Sequence, residues 1–112
     1  MVGSCKLPNR QTIEDFESDL VSLPLGERVA VVTTIAESVA QERGWPQAKN
    51  IEKLNKGRTV YFDENSYYSL DTQHGRFEQL NTKGKHLGEV NMTLGKIKGS
   101  LDKSGSHNLR VK

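Results

Sequence analysis

Apolar residues near the start of the chain recur at helical spacing and predict two helices. The first helix follows an N-cap at Thr12, and its apolar stripe consists of Ile13, Phe16, Leu20 and Leu23. The second helix runs from Leu25 to Arg43, and its stripe consists of Val29, Val32, Ile35, Ala36 and Val39. Gly44 and Pro46 follow as stop signals. The pair is predicted to form a helical hairpin that takes no part in chemistry. Its apolar stripe is interpreted as core or as the seam of a dimer, and both readings stay open.

The pattern changes to alternation after a polar connector, residues 47–57. β-branched and aromatic residues at 59–62 and 66–70 flank turn residues at 63–65, which predicts a β-hairpin. Two further strands are predicted at 77–80 and 86–91, with loops and short strands beyond them. The predicted fold class is therefore α+β: an N-terminal helical hairpin, residues 1–46, followed by a small, twisted antiparallel β-sheet domain, residues 47–112.

Composition limits the function classes. A chain of 112 residues with 34% hydrophobic residues and a mean hydropathy of −0.65 makes one small domain with a modest core. It contains no apolar run of membrane-spanning length and no secretory signal, so no membrane partner is expected. A single cysteine, Cys5, excludes an intramolecular disulfide framework and fits a reducing compartment. We expect a cytoplasmic protein.

Charge is uneven along the chain. Residues 1–50 carry five Lys/Arg against seven Asp/Glu, whereas residues 83–112 carry seven against two. A basic second half predicts a polyanionic partner, although a merely solvated basic face would look the same. The side chains assigned to RNA contact are Lys53, Lys56, Arg58, Arg76, Lys83, Lys85, Lys96 and Lys98.

The candidate chemistry lies in the stretch from Asp71 to Glu78, which contains a histidine, two carboxylates and a glycine. Residues two apart on a strand share a face, so His74, Arg76 and Glu78 are predicted to point the same way. The bend at 73–75 is predicted to bring Asp71 back towards His74. An imidazole beside two carboxylates is suited to proton transfer at neutral pH.

The same stretch carries a family resemblance. The motifs are Asp71-x-Gln73-His74-Gly75-x-x-Glu78 and then Gly84-x-His86-Leu87-Gly88, with glycines at 95 and 99. They resemble the cytotoxic ribonuclease domain of the ribosome-inactivating E-group colicins and related pyocins, over roughly the last half of the chain. His86 itself is interpreted as a structural turn residue.

The resemblance implies a highly twisted antiparallel sheet and a metal-independent endoribonuclease that cuts 16S ribosomal RNA at the decoding site of the 30S subunit. It also implies that Asp71, His74 and Glu78 are catalytic. The family uses a further arginine near the C-terminus. By the neighbouring Asn-Leu pair that position falls on His107, whereas the nearest arginine is Arg110, and both are kept as candidates. No cofactor is implied.

The helical first half does not match the colicins, so a small free-standing toxin is expected. An acidic immunity protein or antitoxin is the expected neutralising partner. For the reaction, Glu78 is assigned as base and His74 as acid, and the swapped assignment stays open. The three histidines lack metal-ligand spacing, so no metal is predicted. The alternative function is a non-catalytic module that binds RNA or the ribosome.

Overall fold

The computed structural model describes residues 6–112 and has an α+β fold. Three helices come first: α1 Ile13–Val21, α2 Leu25–Arg43 and α3 Lys49–Leu54. Four strands follow: β1 Val60–Phe62, β2 Tyr67–Asp71, β3 Arg76–Leu80 and β4 His86–Asn91. The strands form one antiparallel sheet in the order β1-β2-β3-β4. The predicted fold class is confirmed.

The caps predicted for the helical hairpin are present. The Thr12 side chain accepts a hydrogen bond from the Asp15 backbone N–H, and Gly44 ends α2 in the left-handed conformation at φ +71°. No helix within residues 6–112 combines the length and the hydropathy that a membrane crossing requires. The predicted loose lead-in, residues 1–11, lies partly outside the described residues, and Leu7 within it is buried in the core.

The connector between hairpin and sheet contains α3, which the sequence pattern did not predict. This helix is only six residues long and has no side-chain cap, so it carries little periodic signal. Glu52, which is buried, holds α3 to the sheet because its Oε2 accepts hydrogen bonds from Val60 N at 2.9 Å and Gln47 Nε2 at 2.7 Å. Tertiary contacts therefore determine this helix more than local sequence does.

Strand alternation gives the sheet two faces with different neighbours. One face carries the residues that join the larger core with the hairpin: Tyr61, Tyr68, Leu70, Phe77 and Val90. Trp45, just after α2, stacks on Tyr68 with ring centroids 4.3 Å apart. Because hairpin and sheet share this core, the two pack as neighbours, and the predicted boundary between residues 46 and 47 stays a prediction.

The opposite face, called the site face below, carries Ser69, Glu78 and Glu89 in one row across the sheet. Beside that row, Val60 and Leu80 form a smaller core with Ile51 of α3 and with Leu109. Residues 92–112 contain loops and only an isolated bridge from Lys96 to Val90, instead of the short strands expected there. This C-terminal segment packs over the site face, and Leu109 anchors it.

Gly75 is required by the contact between the hairpin and the β2–β3 turn. Its φ is +68°, and a Cβ at this position would collide with Leu20 and lie 3.0 Å from Phe16 Cε2. Gly75→Ala should therefore lower the free energy of unfolding by about 2–4 kcal/mol, the sum of left-handed strain and overpacking.

Gly26→Ala is the matched control, because a Cβ there meets nothing within 4 Å on a helical backbone. That change should leave stability unchanged or raise it by up to about 1 kcal/mol. Urea unfolding of the two variants measures both effects. Equal stabilities of Gly75→Ala and Gly26→Ala would show that α1 does not pack tightly against the β2–β3 turn.

Candidate active site

A cavity of about 400 Å³ opens on the site face of the sheet. Its ionisable lining consists of Arg58, Asp71, His74, Glu78, Glu89 and His107. Four of the five residues predicted to be catalytic thus line one cavity, although His107 is distant from the others in sequence. The C-terminal segment closes over the sheet and brings His107 there.

Asp71 and His74 form a hydrogen-bonded pair in the turn between β2 and β3. Asp71 Oδ1 accepts from the backbone N–H of Gln73 at 3.0 Å and of His74 at 3.2 Å, as aspartate does in such turns. Its Oδ2 lies 2.7 Å from His74 Nδ1, which leaves Nε2 free. The predicted return of Asp71 to His74 is confirmed, but His74 lies in the turn and not on the strand with Arg76 and Glu78.

Glu78 and His86 form a second pair, buried in the sheet. Their side chains are 8% and 1% exposed, and Glu78 Oε1 lies 3.0 Å from His86 Nε2. His86 Nδ1 accepts a hydrogen bond from the backbone N–H of Asp102 at 3.0 Å, so a neutral ring carries its proton on Nε2 and donates it to Glu78. Glu78 Oε2 is buried and has no hydrogen-bond partner.

The pKa of Glu78 is raised above its ordinary value of 4.5. Burial is the largest cause, and the negative charge of Glu89 is the next, whereas His86 and His107 act in the opposite direction. A carboxylate of raised pKa with one unpaired oxygen is a stronger base than an exposed glutamate. This geometry suits Glu78 to accept a proton.

Asp102 and His107 form a third pair at the edge of the cavity. Asp102 Oδ2 lies 2.6 Å from His107 Nδ1, and the His107 ring centroid is 5.2 Å from that of His86. Hydrogen bonds from the Ser104 side chain first, and then from Ser106, hold the pKa of Asp102 well below its ordinary value. The serines that this chain carries at 104 and 106 thus fix the carboxylate that orients His107.

The structure separates the two candidates for the C-terminal position. His107 lines the cavity, whereas Arg110 does not. The Arg110 backbone N donates to Asn55 Oδ1 at 2.9 Å, its carbonyl accepts from Asn55 Nδ2 at 2.9 Å, and the residue lies exposed beyond α3.

The side chains predicted to contact RNA lie in different surroundings. Arg58 lines the cavity, and Arg76 is held by the carboxylates of Glu17 and Glu89. The remaining six are exposed: Lys53, Lys56, Lys83, Lys85, Lys96 and Lys98. Contact of any of them with RNA stays a prediction.

Three residues of the site were missed by sequence reasoning: His86, Glu89 and Asp102. His86 is the first residue of β4 and not a turn residue. Gln79 pairs with Gly88 and Leu80 pairs with His86, so Leu87 between them has no partner and forms a β-bulge. The bulge moves His86 onto the face of Glu78, which strict alternation cannot predict. Its place in the Gly84-x-His86-Leu87-Gly88 motif was the available signal.

One group of ligands in the described residues could hold a metal ion. Carboxylate oxygens of Asp71, Glu78 and Glu89 lie within 4.8 Å of one another. Oxygen ligands of this kind suit a hard divalent cation. Among the described residues, no histidine belongs to this group.

The fold and cavity together define an α+β protein with a cavity of ionisable side chains on one face of its sheet. Comparison with known families places it more closely: the model of the Cytotoxic family, the colicin-like cytotoxic ribonuclease domain, matches residues 37–107. The chain belongs to this family, which supports a role as a toxin nuclease. It has no significant match among curated proteins or solved structures.

The raised pKa of Glu78 makes stability depend on pH in a defined direction. Between the ordinary and the raised pKa, the folded protein keeps a proton that the unfolded chain has released. The contribution of Glu78 to stability therefore falls as pH rises through that window and stays low above it. Glu78→Gln removes this contribution and can still accept from His86. We expect its stability relative to wild type to increase from pH 4.5 to pH 8.

Urea unfolding of wild type and Glu78→Gln across this pH range measures the difference between their free energies of unfolding. The contributions of the other carboxyls cancel in this difference. Glu64→Gln is the control, because Glu64 is an exposed residue in the β1–β2 turn. Parallel pH curves for wild type and Glu78→Gln would show that burial does not perturb Glu78.

Proposed function

We propose that this protein is a toxin endoribonuclease that cleaves 16S ribosomal RNA at the decoding site and so inhibits translation. The observation that carries the proposal is the buried, unpaired Oε2 of Glu78, in a cavity that also holds the free Nε2 of His74. A site that only gripped phosphate would not need a buried carboxylate, which repels the RNA backbone.

RNA supplies its own nucleophile, the 2′-hydroxyl. Glu78 accepts the 2′-OH proton, the 2′ oxygen forms a bond to phosphorus, and the bond from phosphorus to the 5′ oxygen breaks. His74, as the protonated ring, donates its Nε2 proton to the leaving 5′ oxygen, while its Nδ1–H stays hydrogen-bonded to Asp71. The products are a 2′,3′-cyclic phosphate and a 5′-hydroxyl. The unpaired Oε2 of Glu78 supports its assignment as the base, and the swapped assignment stays open.

Cationic groups at the cavity fit the charge of the reacting phosphate. Arg58 and His107 both line it, and Arg58 carries a permanent positive charge. His107 takes the place at the cavity that the resemblance assigns to an arginine. Contacts from these side chains to phosphate oxygens would stabilise the transition state.

The partners follow from the same proposal. The 30S ribosomal subunit is the substrate in the cytoplasm, and an acidic immunity protein or antitoxin would cover the basic residues near the cavity. The hairpin leaves Val21 and Leu25 79% and 64% exposed, which is where a dimer seam through the N-terminal helices would lie.

Catalysis is tested by changing the proposed acid and base separately. His74→Ala and Glu78→Gln should each lower cleavage of 16S RNA in purified ribosomes by roughly 10²–10⁴-fold, the usual effect of removing a positioned proton-transfer group. The double variant should be little worse than the worse single one, because the two residues act as a unit. Binding to ribosomes should persist, since the basic residues remain.

Glu64→Gln serves again as the control and should cleave at the wild-type rate. A folded His74→Ala protein that binds ribosomes and cuts as fast as wild type would leave the non-catalytic RNA-binding module as the better function.

Metal independence is tested by chelation. Excess EDTA should change the cleavage rate by less than about twofold, because the proton transfers use side chains alone. The cut RNA should carry a 2′,3′-cyclic phosphate, which end-group analysis identifies. Loss of activity in EDTA that added Mg²⁺ or Mn²⁺ restores would instead assign Asp71, Glu78 and Glu89 to a catalytic metal site.

A further inference from the structure

Helix α1 lies outside the segment that matches the family, residues 37–107, yet it contacts the turn that carries Asp71 and His74. Glu17 of α1 binds the Arg76 guanidinium with both oxygens: Oε2 lies 3.1 Å from Nε, and Oε1 lies 3.0 Å from Nη2. Bidentate pairing of this kind fixes the orientation of an arginine. Arg76 and Glu17 are 28% and 27% exposed, so the pair is partly shielded from water.

The third nitrogen of Arg76 lies near Glu89, which lines the cavity. Its Nη1 lies 3.5 Å from Glu89 Oε1, at the limit of a hydrogen bond. Glu89 stands directly opposite Glu78 across β3 and β4, and two carboxylates in that position repel each other. Within residues 6–112, Arg76 is the cation that forms a salt bridge with Glu89. It therefore offsets the charge that most directly opposes ionisation of Glu78.

The turn is held by the hairpin at two further points. Leu20 and Phe16 of α1 pack against Gly75 so closely that they leave no room for a Cβ. Arg28 of α2 donates from Nη1 to the carbonyl of Gln73 at 3.3 Å. The hairpin thus fixes the backbone at Gln73 and Gly75, on the two sides of His74. Glu17 fixes the side chain of Arg76.

We propose that Glu17 is a positioning residue for the active site: it holds Arg76 so that the guanidinium stays against Glu89. The charged and titratable groups around Glu78 and Glu89 are Arg76 beside them on β3, Asp71 on β2, His74 in the β2–β3 turn, His86 on β4, Arg58 before β1 and His107 of the C-terminal segment. Among the described residues, Glu17 forms its ion pair with Arg76, and it also lines a neighbouring cavity with Arg76 and His74. The kinetic consequence rests on the proposed function, whereas the contact itself does not.

The test compares Arg76→Gln, Glu17→Gln and the double variant over pH 5 to 9. Without Arg76 the charge of Glu89 is not offset, so the protonated, inactive form of Glu78 persists to higher pH. Arg76→Gln should lower kcat/KM about three- to tenfold at the acid end, beyond any loss at pH 8. Glu17→Gln should act in the same direction but less, because Arg76 is still present and only its anchoring is lost.

The double variant should match Arg76→Gln alone, because the ion pair that links Glu17 to Glu89 is already lost in Arg76→Gln. Glu14→Gln is the control, since Glu14 is exposed on the same helix, and its profile should equal that of wild type. Thermal melting of all variants gives the folded fraction. A Glu17→Gln protein with a lower melting temperature and an unchanged pH profile would reduce the pair to a structural contact and overturn the proposal. A shift of its profile to lower pH would overturn it too, because Glu17 would then compete with Glu89 for Arg76.

A second readout does not need cleavage. ¹³C NMR titration of the Glu78 carboxyl carbon should show protonation persisting to higher pH in Arg76→Gln and, to a smaller extent, in Glu17→Gln. If the wild type cuts no RNA but these titration shifts are present, the proposed function fails and the positioning role stands. If the wild type cuts RNA and the titrations coincide, the positioning role fails alone.

Discussion

A carboxylate inside a β-sheet has lost its water and needs hydrogen bonds or a proton in return. Glu78 receives one fixed donor, the Nε2–H of His86. That donor exists only while His86 Nδ1 accepts from the backbone of Asp102, so the C-terminal segment has to lie over the sheet. Burial of Leu109 against Leu80 holds the segment there. The hydrogen bond that replaces water at Glu78 thus depends on the packing of the C-terminal segment, which has no helix or strand of its own.

The sheet divides stability and chemistry between its two faces. The hairpin face is apolar and contains the stacked Trp45 and Tyr68, which supply well-packed core. The site face places Glu78 and Glu89 opposite each other, with Asp71 close by, an arrangement that repulsion makes unfavourable. A protein of this size has limited burial to offset such a cost. The hairpin core therefore does more than complete the fold, because it stabilises a sheet whose other face is kept for function.

Local signals in the sequence predicted the elements that depend on local structure. Caps at Thr12 and Gly44 bounded the hairpin, and alternation bounded the strands to within one or two residues. The Asp71–His74 pair was predictable because an aspartate three residues ahead in a turn can reach an imidazole. Family membership, which the motifs from Asp71 to Gly88 indicated, is likewise shown by the match.

The features that were missed depend on contacts distant in sequence. Helix α3 forms where Glu52 and Ile51 are buried, and no periodic pattern in the sequence predicts it. The bulge at Leu87 reverses the face of His86, and only the pairing of β3 with β4 reveals it. That the hairpin takes no part in chemistry stays a prediction, but its contact with the β2–β3 turn, which α1 makes through Gly75 and Arg76, was not foreseen. Its helical period showed which side is apolar and not which part of the sheet it would meet.

Each histidine of the chain is paired with a carboxylate, and the surroundings give these pairs different properties. Burial and Glu89 raise the pKa of Glu78, whereas serine hydroxyls lower that of Asp102 at the protein surface. Asp102 therefore stays ionised and orients His107, while Glu78 holds its proton to a higher pH than an exposed glutamate does. Separation of this kind between chemically similar groups is how one site obtains both a base and a fixed counter-charge. The residue types alone would not distinguish Glu78 from Asp102. Their surroundings do, because one carboxylate is buried and the other accepts hydrogen bonds from serines at the surface.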